Sequence, residues 1–190
     1  MSQLTDDLPE GAATISGLAD ILAPRLSIVF CGINPAATAA ISGKHFSSPS
    51  NRFWRTLHLA GFTPTQITPE QGDSVLDYGY GLTTAVARPA RQASDLTRLE
   101  LVQSAGVLQA KIETYRPVVL AFLGKAAYGA ISGKKDMPWG RQDHRFGGAI
   151  VWVLPNPSGL NRAFPLVRLV SAYRELRDAL DAGETGRAFD

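Results

Sequence analysis

The sequence predicts an α/β fold, a three-layer α/β/α sandwich around a central, mostly parallel sheet of four to five strands. Three observations predict it. Short, almost wholly apolar runs recur at 26–31, 118–123 and 149–154, as expected of strands covered on both faces. Segments with helical spacing of apolar residues lie between and after them. The chain has 190 residues, 45% of them hydrophobic and 19% charged, enough for one domain with a substantial core. Strands that alternate with helices in this way form layered domains with parallel sheets.

The elements follow in order. Leu26-Ser-Ile-Val-Phe-Cys31 ends at Gly32 and reads as the first buried strand. Asn51 to Ala60 predicts a helix capped by Ser50 or Asn51 and stopped by Gly61. Leu82 to Val86 is a candidate second strand. From Arg98 to Arg116, Leu101, Ala105, Leu108, Ile112 and Tyr115 recur at intervals of four and three, one face of a helix that Pro117 ends. Val118 to Leu123 is the next strand, and Lys125 to Ile131 supplies a short helix after it. Ala149 to Leu154 is a further strand. Leu166, Leu169, Tyr173, Leu176 and Leu180 mark a closing amphipathic helix.

Residues 1–19 mix Asp, Thr, Ser, Gly and Pro without a hydrophobic period and are expected to be a flexible tail. One domain is expected over 20–182, with a second tail at 183–190. No run reaches the roughly 18 apolar residues of a membrane span, and the N-terminus lacks the features of a secretory signal. A cytoplasmic monomer without membrane partners is the expectation. The lone Cys31 and three scattered histidines offer no metal-ligand spacing, so neither metal nor cofactor is expected. The formal net charge is +2, yet both ends are acidic: residues 21–180 hold 18 basic and 10 acidic side chains, a net +8. Such a body suits a polyanionic partner, although a solubilising surface gives the same count.

In a parallel sheet, ligands bind beyond the carboxyl ends of the strands. Two loops there are chemically unusual. The first reads Gly32-Ile33-Asn34-Pro35 and runs through small residues to Phe46 and then Ser-Ser-Pro-Ser-Asn-Arg-Phe-Trp54. The second reads Pro155-Asn156-Pro157-Ser158-Gly159-Leu160-Asn161-Arg162. In each, a proline restricts the preceding asparagine to extended conformations and so fixes its amide. Either Asn-Pro alone is an ordinary turn signal. The pair, at two strand ends, marks a candidate site.

Taken in order, Gly32-Ile-Asn-Pro35, an aromatic twelve residues after the Asn, Asn51-Arg-Phe-Trp54, Leu123-Gly-Lys125 and Leu154-Pro-Asn-Pro-Ser-Gly-Leu160 resemble the mismatch-specific uracil-DNA glycosylases, bacterial relatives of thymine-DNA glycosylase in the uracil-DNA glycosylase superfamily. The resemblance runs from about Asp20 to Leu180. It implies an enzyme that flips uracil out of double-stranded DNA at U:G or T:G mismatches and hydrolyses the N-glycosidic bond, leaving an abasic site. Asn34 would then hold the water, Phe46 would stack on the flipped base, Ile33 would contact it through the main chain, and Asn156 would lie at the pyrimidine pocket. Gly159, Leu160 and Asn161 match the intercalating segment, and Arg162 would reach the opposite strand or a phosphate. Lys44, Lys125 and Arg52 are weaker phosphate candidates.

The chemistry gives the pattern a reason. Cleavage develops positive charge on the sugar and negative charge on the departing base, so a site must stabilise a pyrimidine anion and position a water. An amide orients water but takes no proton, so the leaving group matters, and uracil is a better one than thymine. The base is reached only outside the stack. A leucine on a polar loop suits a wedge for the vacated space, just as a core anchor explains an isolated loop leucine; Phe46 likewise reads as a stacking platform or a core aromatic.

Two departures from the family pattern stand out. Ala36 occupies a position usually held by Gly, and Thr38, Ala39 and Ala40 line the stretch where some relatives carry a serine; Ala39 is expected to leave room for a 5-methyl group and hence for thymine, and ethenocytosine is a further candidate substrate. Asp95 is either a general base beside Asn34 or the N-cap of the helix that starts near Thr97 or Arg98. No phosphate loop, dinucleotide fingerprint or nucleophile elbow is present, and the matched motifs offer no amine beyond Lys44 and Lys125, so a monofunctional enzyme is expected. The alternative from another class is a non-catalytic DNA-binding protein that senses mismatches.

Overall fold

A computed structural model of the chain describes residues 17–90 and 93–183. Its five strands, β1 (Ile28–Gly32), β2 (Tyr80–Thr84), β3 (Val119–Leu123), β4 (Gly140–Phe146) and β5 (Ala149–Leu154), form one sheet in the order β2-β1-β3-β5-β4. Every neighbouring pair is parallel except β4 with β5. The described helices are α1 (Ala37–Ser42), α2 (Phe53–Leu59), α3 (Arg98–Tyr115), α4 (Lys125–Ser132) and α5 (Leu166–Asp181), with 3₁₀ turns at Pro69–Tyr78 and Ala93–Asp95.

The period-2 alternation of each central strand divides the core. Val29, Cys31, Leu120, Phe122, Val151 and Val153 face α3 and α4, where Leu101, Leu108, Ile112, Ala127 and Tyr128 are buried. Ile28, Phe30, Val119, Ala121, Leu123, Ile150, Trp152 and Leu154 face α2 and α5, against Phe53, Trp54, Leu57, Leu169, Tyr173 and Leu176. Both sheet faces are therefore covered, as the unbroken apolar runs require, and the three-layer sandwich has five strands.

β5 has the bounds expected from its sequence, and α3 and α5 lie within a residue of theirs. β2 begins two residues before the expected span. The reason is Gly81: a Cβ there would come within 2.8 Å of the Ile21 carbonyl and 2.6 Å of Leu26 Cδ1, so the strand continues through a glycine that breaks the apolar run. β4 was not expected; it is a polar edge strand, Gly-Arg-Gln-Asp-His-Arg-Phe, with a register shift between Arg141 and Arg145.

The other edge is covered by the start of the described chain. Ile21 forms an antiparallel bridge with Leu82, its N–H donating at 2.9 Å and its carbonyl accepting at 2.8 Å. Asp20 accepts from Thr83 Oγ1 at 2.6 Å and pairs with Lys111 of α3 at 2.5 Å, and Lys111 also donates to Thr83 Oγ1 at 3.0 Å. The domain boundary expected at residue 20 falls inside this bonded segment. Otherwise the tails expected at 1–19 and 183–190 lie outside the described residues, apart from residues 17–19 and Gly183. Among the described residues no helix is long and apolar enough to cross a membrane.

Candidate active site

β2 and β3 lie on opposite sides of β1, so the chain reverses its direction of winding between β1 and β3. Open α/β sheets bind ligands at such a point. A cavity of about 400 Å³ opens there, lined by both Asn-Pro loops and by the segment after β2.

Asn34 follows β1 directly. Its Nδ2 donates to the Pro35 carbonyl at 2.7 Å and to the Ala90 carbonyl at 3.2 Å. Two acceptors on one side assign the amide: nitrogen faces them, and Oδ1 points the other way. Oδ1 accepts no hydrogen bond from a described residue. The Ile33 and Pro35 carbonyls accept from Val86 and Ala90 N–H groups at 3.0 and 3.1 Å. The loop is thus fastened by backbone to the chain beyond β2, and Asn34 itself lines the cavity.

Asn156 has the opposite polarity. Its Oδ1 accepts from the Ser158 N–H at 2.9 Å, an Asx turn. Oxygen is therefore bound, and Nδ2 donates to no described residue. Gly124 lies beside this side chain with φ 112°, a conformation L side chains rarely adopt, and a Cβ there would only make ordinary contact, 3.5 Å from Asn156 Cβ and 3.7 Å from Ile33 Cδ1. Its N–H donates to the Leu154 carbonyl at 2.7 Å.

Phe46 lines the cavity and is partly exposed. One ring face stacks on buried Phe53, with centroids 4.0 Å apart and planes at 24°, and Trp54 meets it edge-on at 6.3 Å. The ring also contributes to the lining of the cavity. Phe46 adopts φ 54°, a left-handed conformation that costs a bulky residue about 1–2 kcal/mol. Phe46 is thus packed against the core through Phe53 and also lines the cavity.

Ile33 (8% exposed) and Ala39 (3%) also line the cavity. Leu160 and Asn161 line its mouth, and Leu160 is 74% exposed. A core anchor is therefore not its role. Gly159 lies outside the lining but is required for the loop path: a Cβ there would fall 2.7 Å from both the Cβ and the carbonyl oxygen of Ser50. Arg162 is exposed beside the loop, and Lys44 lies near Gly43 after α1; neither lines the cavity. No lysine is among the lining residues. Lys125 instead sits over the Trp139 ring, 4.7 Å from its centroid.

Arg52 does something the sequence reasoning missed. Its Nε donates to the Pro157 carbonyl at 3.2 Å, Nη1 to Phe164 at 2.7 Å, and Nη2 to Ser158 at 2.5 Å and Asn161 at 3.1 Å. Its own N–H donates to Pro157 at 3.0 Å. The guanidinium therefore clamps the second loop and is not available to a phosphate. Tyr173 of α5 adds a hydrogen bond to the Pro155 carbonyl at 3.3 Å, and Asn161 Nδ2 one to the Asn156 carbonyl at 2.9 Å. Asn51 precedes Arg52, the N-cap of α2, and its Oδ1 accepts from the Phe53 N–H at 2.9 Å.

Asp95 is exposed in the 3₁₀ turn and does not line the cavity, whereas Ser94 does. The cap of α3 is Thr97, whose Oγ1 accepts from the Glu100 N–H at 3.2 Å while Glu100 reaches back to the Thr97 N–H at 2.8 Å. Asp95 is thus not the cap of that helix. A threonine followed three residues later by Glu carries the capping-box signal that identifies Thr97.

His45, like Leu18 and Thr84, is a lining residue missed in the sequence. It is 4% exposed, and its Nε2 bonds the Ala19 carbonyl at 2.8 Å. A carbonyl only accepts, so Nε2 carries the proton. Burial lowers the imidazole pKa, partly offset by that bond and by the charges of Asp20 and Asp73, so the ring is neutral near pH 7. Burial pushes the Cys31 thiol well above its ordinary range, which makes it an inert part of the core.

Comparison with known proteins gives two findings. A family model described as the uracil DNA glycosylase superfamily matches residues 19–177. A solution structure from Methanosarcina acetivorans, described as a "putative Uracil DNA glycosylase", has the same fold with a TM-score of 0.56 and 20% identity, over 85% of this chain and 98% of that one.

Proposed function

The chain belongs to the uracil DNA glycosylase superfamily, and on that premise we propose that it is a monofunctional DNA glycosylase. It flips uracil out of G-mismatched duplex DNA and hydrolyses the N-glycosidic bond with a water held by Asn34. The observation that carries this reading is the orientation of the Asn34 amide, whose nitrogen is tied to two carbonyls and whose oxygen is left as an acceptor at the cavity.

A water that donates to Asn34 Oδ1 turns a lone pair toward the bound nucleotide. As the C1′–N1 bond breaks, its electron pair leaves with the pyrimidine. The water oxygen bonds to C1′ and gives its proton to solvent, because an amide cannot accept it. The flipped base stacks on the open face of Phe46, and Asn156 Nδ2 donates to a pyrimidine carbonyl that gains charge in the transition state. Leu160 fills the space vacated in the duplex, and Arg162 contacts the opposite strand or a phosphate. The buried methyl of Ala39 leaves room for a 5-methyl group, which supports thymine as a slower substrate. No lysine lines the cavity to form a Schiff base, so the product is an abasic site.

The test is incubation with a U:G duplex followed by hot alkali, in parallel with T:G and ethenocytosine:G duplexes. Strand breaks at uracil, lost in Asn34→Ala while duplex binding persists, are the expected result. Binding without any alkali-labile product from the native protein would instead indicate a mismatch-sensing module.

A further inference from the structure

Leu18 reaches the cavity from outside the sheet. Because Ile21 pairs antiparallel with Leu82 on the free edge of β2, the residues before Ile21 run toward the carboxyl end of β2, where the cavity lies. Gly17 then passes so close to the chain after β2 that a Cβ on it would lie 3.0 Å from the Ala87 carbonyl. Three latches fix this course: the Ile21 bridge, the contacts of Asp20 with Thr83 and Lys111, and the bond from His45 to the Ala19 carbonyl. Lys111 is 23% and Asp20 29% exposed, so the ion pair is partly shielded from water, where such pairs hold better than on an open surface.

The position of Leu18 has a chemical consequence. Asn156, at the end of β5, offers a donor on one side of the cavity, and Leu18 enters on the other side, beyond the edge strand β2. A pyrimidine on Phe46 that directs its carbonyl edge to Asn156 turns its C5 and C6 edge away from it. We propose that Leu18, carried by the latched segment Gly17–Ile21, is a specificity-determining residue that limits the bulk of the pyrimidine the cavity accepts. This inference rests on the glycosylase reading above. Asp20 and Lys111 are positioning residues for Leu18 and do not touch the base.

The experiment is single-turnover excision from U:G and T:G duplexes, which differ by the methyl group on the C5 edge, by the native protein, Leu18→Ala, Leu18→Phe and Lys111→Met. The readout is the ratio of the thymine rate to the uracil rate, which a general loss of stability does not move. Leu18→Ala is expected to raise the ratio about tenfold, the scale on which a pocket senses one or two methylene groups. Leu18→Phe lowers it, and Lys111→Met shifts it in the same direction as Leu18→Ala. Uracil excision that persists with an unchanged ratio in both Leu18 variants overturns the assignment to Leu18 and leaves the glycosylase reading intact. A native protein that excises no uracil overturns both.

Discussion

The two loops that form the cavity start alike and end as opposites. Each follows a parallel strand with an Asn-Pro pair. Asn34 binds its surroundings through nitrogen and presents oxygen, whereas Asn156 binds through oxygen and presents nitrogen. The first loop is fastened by main-chain bonds to the segment beyond β2, and the second by the side chain of Arg52. The same dipeptide thus gives an acceptor in one place and a donor in the other. The difference comes from what lies beside each amide: carbonyls at one, a turn N–H at the other. Hydrolysis of a nucleoside needs both, an acceptor for water and a donor for the leaving base.

The largest expected effect tests the acceptor. Asn34→Asp keeps the size and adds a base, but it sets a carboxylate oxygen against the Pro35 and Ala90 carbonyls that the nitrogen now satisfies. Excision of uracil should fall about 10³-fold despite the added basicity; an increase would mean that the anchored nitrogen is dispensable. Asn156→Ala removes the donor and the Asx turn together, and the loss of one hydrogen bond to a developing charge is expected to cost roughly 10²-fold in the single-turnover rate. A smaller loss than for Asn34→Asp would rank the two ends of the comparison.

Arg52→Gln should separate the loops. It frees the carbonyls of the second loop, which carries both Asn156 and Leu160, without touching the first, so excision should fall on single-stranded uracil DNA and about tenfold further on duplex, which also needs the wedge. Equal loss on both substrates would make Arg52 part of the fold alone. The smallest effect concerns His45, beside Phe46 in the first loop. Its folded pKa lies below the ordinary value, so between the two values the unfolded chain binds more protons. Stability from this group is present above about pH 6.5 and declines as pH falls through the unfolded pKa. Melting temperatures between pH 7.5 and 5.5 should therefore drop less for His45→Gln than for the native protein.

Much of this was legible in the sequence, and the rest was not for physical reasons. The buried strands β3 and β5 read plainly because both faces demand apolar residues, and the prolines after Asn34 and Asn156 marked both loops. β4 did not, because an edge strand that carries Arg141, Asp143, His144 and Arg145 toward water has no hydrophobic period. Helix α1 is six residues of mostly small side chains with no side-chain cap, too short for a pattern. Arg52 next to an aromatic pair looks like any surface cation, since its partners are carbonyls of a loop more than a hundred residues away. Leu18 reads as part of a tail because its place at the cavity depends on one strand pairing, between Ile21 and Leu82, that composition does not encode.

That pairing also bears on how the protein behaves as a solute. An open strand edge invites a second chain to add to it. The far edge, β4, discourages this with charge. The near edge, β2, carries Gly81, Leu82 and Thr83 with no charge of its own, and the Ile21 bridge occupies its Leu82 N–H and carbonyl. A shortened chain that began after Ile21 would lose the wall of its pocket and also uncover a ready template for aggregation.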